Sequence, residues 1–199
     1  MDYLVFGLGN PGKEYELTRH NAGFLVVDYL VEQLGAGVAF PDCAGMVARG
    51  RWGKKEVLAA KPGTFMNLSG KSLRMLILKY GVPLSRTIII LDDLALPFGA
   101  VRLRAGGGTA GHKGLASVLS VTGEDVPRLR VGIGRPPEGM EPADFVLSPF
   151  QPEEKKLLPE VLSWAGQAVL TWIDRGAAEA MSRYNGYILS LRGNLPNKP

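Results

Sequence analysis

The sequence predicts an α/β domain in which one mixed β-sheet is covered by helices on both faces. Short apolar runs alternate with stretches of helical spacing from end to end, the pattern of strands connected by helices. The chain has 199 residues and 46% hydrophobic content, enough for one well-buried core. No serine-rich or charged linker, internal repeat or low-complexity tract divides it. Residues 1–199 are therefore expected to form a single domain, with the last few residues as a flexible tail.

The elements follow in order. "DYLVFGL" is a buried strand, and after the loop that carries His20, Val26, Val27, Leu30, Val31 and Leu34 fall at helical spacing before Gly35. "MVARGRW" and "KEVLAAK" flank a short Gly-Lys turn and read as a hairpin or a pair of adjacent strands. A second helix is expected from Asn67 through Leu73, Leu76, Ile77 and Tyr80, ended by Gly81. "TIIILDD" is a fully buried strand with two acids at its end, and "GAVRLRA" alternates, putting Arg102 and Arg104 on one face. "GGGTAGHKG" leads into a helix through Leu115, Val118 and Leu119, and "LRVGIG" and "DFVLS" read as strands. Pro152, with Glu153 and Glu154 beside it, opens a long helix through Leu157, Val161, Ala165, Ala168 and Trp172. In such sheets ligands gather at strand C-terminal ends, where "GLGNPG", "LDDL" and "RAGGG" are expected.

Several function classes drop out. The opening "MDYLVFGLGN" has an acidic second residue and too short an apolar run for a signal peptide. No apolar run approaches the roughly 18 residues of a membrane span. With a single cysteine, Cys43, no internal disulfide is possible, and a cytoplasmic protein without membrane contact is expected. A net charge of +4 tilts weakly toward a polyanionic partner. "GLGNPG" matches the dinucleotide pattern G-x-G-x-x-G, but no helix begins within it, and Asp28 lies inside a helix rather than at the end of a second strand. "GTFMNLSGKS" has too many residues before its Gly-Lys pair to close around a phosphate. No G-x-S-x-G elbow is present, Cys43 reads as an inert thiol, and two histidines without paired spacing speak against a metal.

What remains is His20, the acids Asp92 and Asp93, and Asn10, Asn21 and Asn67 at junctions between loops and elements. Capping or turn formation accounts for each asparagine singly. Together the groups suit another chemistry. A carboxylate at the end of a buried strand can fix an imidazole's tautomer and stabilise its protonated form. Histidine, carboxylate and amide donors without a nucleophilic Ser or Cys suggest direct attack by water on an ester.

"GLGNPGKEYELTRHNAGF", "KPGTFMNLSGKS", "LDDLALPFGAVRLRAGGGTAGHKGL" and "RLRVGIGRP", in order over most of the chain, resemble bacterial peptidyl-tRNA hydrolase. The resemblance implies a monomeric, metal-independent and cofactor-free enzyme with a mixed twisted sheet. It would cleave the ester joining a peptide to the 3′ end of tRNA and recycle stalled tRNA. By position it implies His20 as general base, Asp92 as its carboxylate, and Asn10 as the residue that engages the peptide and separates blocked from free aminoacyl-tRNA. Asn67 would position substrate and water, and Tyr15 and Phe65 would bind substrate in a cleft lined by Asn21 and Met66. Arg104 and Arg130 would hold the tRNA 5′ phosphate. His112 reads as structural. At Lys113 the family usually has asparagine; the lysine could reach a phosphate near the tRNA 3′ end or turn toward Asp92. The competing classes are an RNA-binding protein that has lost catalysis and a nucleotide-dependent oxidoreductase.

Overall fold

The structure, a computed structural model, describes residues 1–123 and 125–187. The expected C-terminal tail lies outside the described residues. The elements run β1 (Tyr3–Gly7), α1 (Ala22–Gln33), β2 (Phe40–Asp42), β3 (Gly45–Trp52), β4 (Lys55–Pro62), α2 (Ser69–Tyr80), β5 (Thr87–Asp93), β6 (Ala100–Arg104), α3 (Lys113–Thr122), β7 (Arg128–Gly132), α4 (Pro142–Leu147), α5 (Pro152–Arg175), α6 (Ala177–Tyr184) and β8 (Gly186–Tyr187). One mixed sheet in the order β2-β3-β4-β1-β5-β7-β6-β8 holds the strands together. Its centre, β4-β1-β5-β7, is parallel, and β2, β3, β6 and β8 run antiparallel at the flanks.

β5 shows why the middle of the sheet reads as a continuous apolar run. Ile88 and Ile90 pack with Val5 in the core beneath α1 and α5. Ile89 and Leu91 point the other way, into the core with Leu4, Phe6 and residues of α2 and α3. A strand buried on both faces has no polar alternation to display.

Two readings of the sequence are corrected. Residues 144–148, "DFVLS", do not form a strand but largely belong to the short helix α4. Pro142 at its first turn and Asp144 beside it are N-terminal helix signals that override the apolar run. Only Phe145 is buried there, one residue per turn rather than every second one. The second correction concerns "RAGGG". Because β6 is antiparallel to β7, Arg104 pairs with Arg128 at the start of that strand, away from the end that carries Asp92 and Asp93. The glycine-rich loop then climbs back: Arg128 donates to the carbonyl of Gly107, and Arg130 to that of Gly108 at 2.8 Å. His112 is thereby delivered to Asp92.

Close approach of backbones sets the entry to α1. A Cβ on Gly23 would lie 2.4 Å from the Ile90 carbonyl oxygen and 2.5 Å from that of Leu8. Only glycine lets the first turn of α1 rest on the ends of β1 and β5, and the turn just before it carries His20. Gly23→Ala is expected to destabilise the fold by about 3 kcal/mol, because the obstruction is backbone and cannot rotate away. A urea unfolding midpoint equal to that of the wild type would contradict this packing.

Candidate active site

The chain enters α1 through a 3-10 turn, Arg19–Asn21, fixed from several sides. Arg19 is 2% exposed and pairs with Glu154 at 2.7 Å. Its guanidinium lies 4.4 Å from the Phe145 ring centroid and 5.1 Å from that of Phe150. Glu154 also accepts the backbone N–H of Gln151 at the start of α5. The same carboxylate thus caps α5 and anchors the turn. The Arg19 N–H donates to the Ser148 carbonyl, tying the turn to the exit from α4.

On this platform His20 Nδ1 lies 2.9 Å from Asp92 Oδ1. An ionised carboxylate only accepts, so Nδ1 carries the proton and Nε2 keeps a lone pair. His112 Nε2 lies 2.9 Å from the same oxygen. His112 Nδ1 accepts the Leu115 N–H at 3.1 Å as the cap of α3, so the proton of this ring sits on Nε2. Burial pushes the Asp92 carboxyl up. The electrostatic pull of His112 and hydrogen bonds from His112 and His20 outweigh that and hold it well below the usual carboxylate range.

His20, Asp92 and His112 are close enough to be compared with a metal site. The cap argues against one. A metal on His112 Nε2 would require the proton to move to Nδ1, where it would meet the Leu115 N–H.

The asparagines do not act as helix caps through their side chains. Asn21 Oδ1 accepts the Asn10 N–H at 2.8 Å, and Asn21 Nδ2 donates to the Asn10 carbonyl at 3.0 Å. Asn10 Oδ1 in turn accepts the Met66 N–H at 2.9 Å. Asn21 therefore holds Asn10 by its backbone, and Met66 sets the orientation of its amide. Asn10 Nδ2 has no hydrogen-bond partner among the described residues and remains available as a donor.

These groups open onto a cleft of about 500 Å³ lined by Asn10, His20, Asp92, Asp93, the segment from Thr109 to Lys113, and Arg130. Leu94 and Ala95 form one apolar wall, and Pro142, Ala143, Val146 and Leu147 of α4 another. Asn10 also borders a second cleft with Asn21, Phe24, Asp28 and Lys61. Of the residues expected from the sequence, the structure brings together His20, Asp92, Asn10, Asn21 and Met66, and Arg130 joins them in the cleft wall. Phe65 and Asn67 are exposed and Tyr15 half-buried, and none of the three lines either cleft. Arg104 is exposed and pairs across the sheet three residues from the level of Asp92, about 10 Å along the strand. Arg130 is already engaged, with Asp93 at 3.2 Å and Gly108.

Sequence reasoning missed the part played by His112. It caps a helix, as a structural residue does, and also supplies half of the hydrogen bonding to the carboxylate oxygen that holds His20. Its only signal in the sequence is that it is one of two histidines. The fold of the glycine-rich loop, which brings it to Asp92, is not legible there.

Comparison with known proteins gives a consistent result. The family model described as peptidyl-tRNA hydrolase matches residues 4–192. The peptidyl-tRNA hydrolase of Nocardia farcinica is 49% identical over 168 residues, 83% of this chain and 87% of that protein. That of Aquifex aeolicus is 44% identical over 183 residues, 92% and 95% of the two chains. Among solved structures, the peptidyl-tRNA hydrolase of Acinetobacter baumannii superposes with a TM-score of 0.86 at 33% identity, covering 92% of this chain and 96% of that one. With sequence and architecture matching from the first strand onward, the chain belongs to the peptidyl-tRNA hydrolase family.

Proposed function

We propose that the chain hydrolyses the ester between a peptide, or an N-blocked amino acid, and the 3′ end of tRNA, with His20 as the general base. The observation that carries the reading is the His20–Asp92 pair, whose geometry leaves Nε2 basic at the cleft. In this mechanism Nε2 takes a proton from water as the water oxygen attacks the ester carbonyl. Asp92 stabilises the imidazolium that forms. The imidazolium then returns the proton to the departing ribose oxygen, yielding a free peptide acid and tRNA. No side chain needs to act as nucleophile: Thr109 Oγ1 in the cleft wall is engaged by the Gly111 N–H, and Cys43 is buried among α2-side residues with its thiol pushed up by burial.

Asn10 supports the selectivity of the reaction. Its spare Nδ2 donor can meet the acyl carbonyl that a blocked amino acid carries, whereas a free α-ammonium offers no acceptor. Asn21 and Met66 hold Asn10 in place. Asn67, Tyr15 and Phe65 belong to the proposal as substrate contacts, and exposed Arg104 with Arg130 as tRNA phosphate contacts. The reading extends to a single-domain, cytoplasmic monomer; both cores share one sheet, and no helix among the described residues is long and apolar enough to cross a membrane.

The test is to incubate purified protein with N-acetylated aminoacyl-tRNA and with free aminoacyl-tRNA, without added metal, and measure ester cleavage. Cleavage of the blocked substrate alone is expected. Equal cleavage of both would remove the role of Asn10, and cleavage of neither would remove the function.

A further inference from the structure

Among the described residues, the wall of the cleft holds two carboxylate side chains, Asp92 and Asp93, and two basic ones besides its imidazoles, Lys113 and Arg130. Asp92 is held by His20 and His112. Asp93 accepts from Arg130 and from the Ala95 N–H at 2.8 Å, and Arg130 also donates to the Gly108 carbonyl. Lys113 alone of the four has no hydrogen bond or ion pair among the described residues.

The position of Lys113 is not one that favours its helix. It is the first residue of α3, where a positive charge opposes the helix dipole. Nor is Asp92 open to it: that carboxylate is 2% exposed and both imidazoles converge on its Oδ1. The lysine is exposed at the cleft rim, while the base, 13% exposed, lies deeper. An ester oriented on His20 therefore puts its near neighbours, not its reacting carbonyl, within reach of the ammonium. On the peptide side those neighbours need carry no charge. On the nucleic-acid side the terminal ribose always carries a phosphodiester at its 5′ oxygen.

We propose that Lys113 binds the phosphodiester joining the last two nucleotides of the tRNA, and so seats the terminal ribose with its ester over His20. This rests on the reading of the cleft as the ester-hydrolysis site. Lys113 is then a specificity-determining residue that senses an anion, not a participant in proton transfer. The rim position also explains why a long, flexible cation serves here: a compact ammonium needs proximity to the phosphate but no fixed bidentate geometry.

Two minimal substrates separate the possibilities. One is an N-acetyl-aminoacyl ester of the dinucleotide CpA; the other is identical except for an uncharged methylphosphonate in place of its phosphodiester. Wild type is expected to favour the charged substrate in kcat/KM by about five- to tenfold at low salt, with the preference shrinking as ionic strength rises. Lys113→Ala and Lys113→Asn should bring the ratio close to one, mainly through a higher KM for the charged substrate, while Lys113→Arg keeps most of it. An undiminished preference in Lys113→Ala would overturn the proposal. So would an equal loss of kcat on both substrates, which would put the lysine on the ester itself. Wild type that cleaves both substrates without preference refutes the phosphate contact alone. Wild type that cleaves neither these nor N-acetylated aminoacyl-tRNA refutes the underlying function as well.

Discussion

Replacing His20 by alanine is expected to lower turnover of N-acetylated aminoacyl-tRNA by about a hundredfold or more, with tRNA binding retained. General-base removal typically has that size, and the other imidazole of the cleft is not placed to take over the role. His112 is the only other imidazole in the cleft, and its Nδ1 is committed to the Leu115 N–H while its Nε2 proton faces Asp92. The fold should tolerate the change. The turn that carries His20 is anchored through Arg19, Glu154 and the Ser148 carbonyl rather than through the imidazole. Turnover and tRNA affinity measured on one preparation decide the matter, and near-normal hydrolysis by His20→Ala would reject the mechanism.

Asp92→Asn should also be severe, with a distinct pH signature. The carboxyl of Asp92 is held below its ordinary range in spite of burial, because His112 and His20 both favour the ionised form. It therefore stays charged well below the ordinary carboxylate value of 3.8. An asparagine keeps the shape but removes the charge that stabilises the imidazolium. Turnover should fall at least about tenfold, and the acid limb of kcat/KM should move to lower pH. An unmoved limb would mean that this carboxylate does not support the base. Stability carries a matching sign. A carboxyl with a depressed folded-state pKa contributes stability above its unfolded value, near 3.8, and that contribution is lost as pH falls toward the folded value. Urea unfolding of Asp92→Asn should lack this part of the acid dependence.

The elements that the sequence shows clearly are those whose burial is local. The run "TIIIL" and the helical spacing along α1, α2 and α5 announce themselves because each residue's environment follows from strand or helix geometry. Residues 144–148 misled because a short apolar run carries too little periodicity to separate strand from helix. There the deciding signal was Pro142 with Asp144. The short strands β2 and β8 and the helix α6 were not anticipated; a strand of two or three residues has no pattern of its own and exists only by pairing with a neighbour.

The sequence by itself determined the α/β class and the motifs that tie the chain to its family, and through that resemblance it pointed to His20, Asp92 and Asn10 as candidate site residues. The class and the motifs follow from residue types and spacing, which are properties of the chain alone. Only the tertiary structure decided how those groups are wired: Asn21 grips the backbone of Asn10, Met66 orients its amide, and both imidazoles share one oxygen of Asp92. It also reversed the expected place of "RAGGG" and left Lys113, among the described residues, as the cation of the cleft wall without a hydrogen bond or ion pair. The physical reason is the same in each case. Hydrogen bonds and ion pairs depend on ångström distances between atoms far apart in the chain, and those distances arise only when β5, β7 and the returning glycine-rich loop pack side by side.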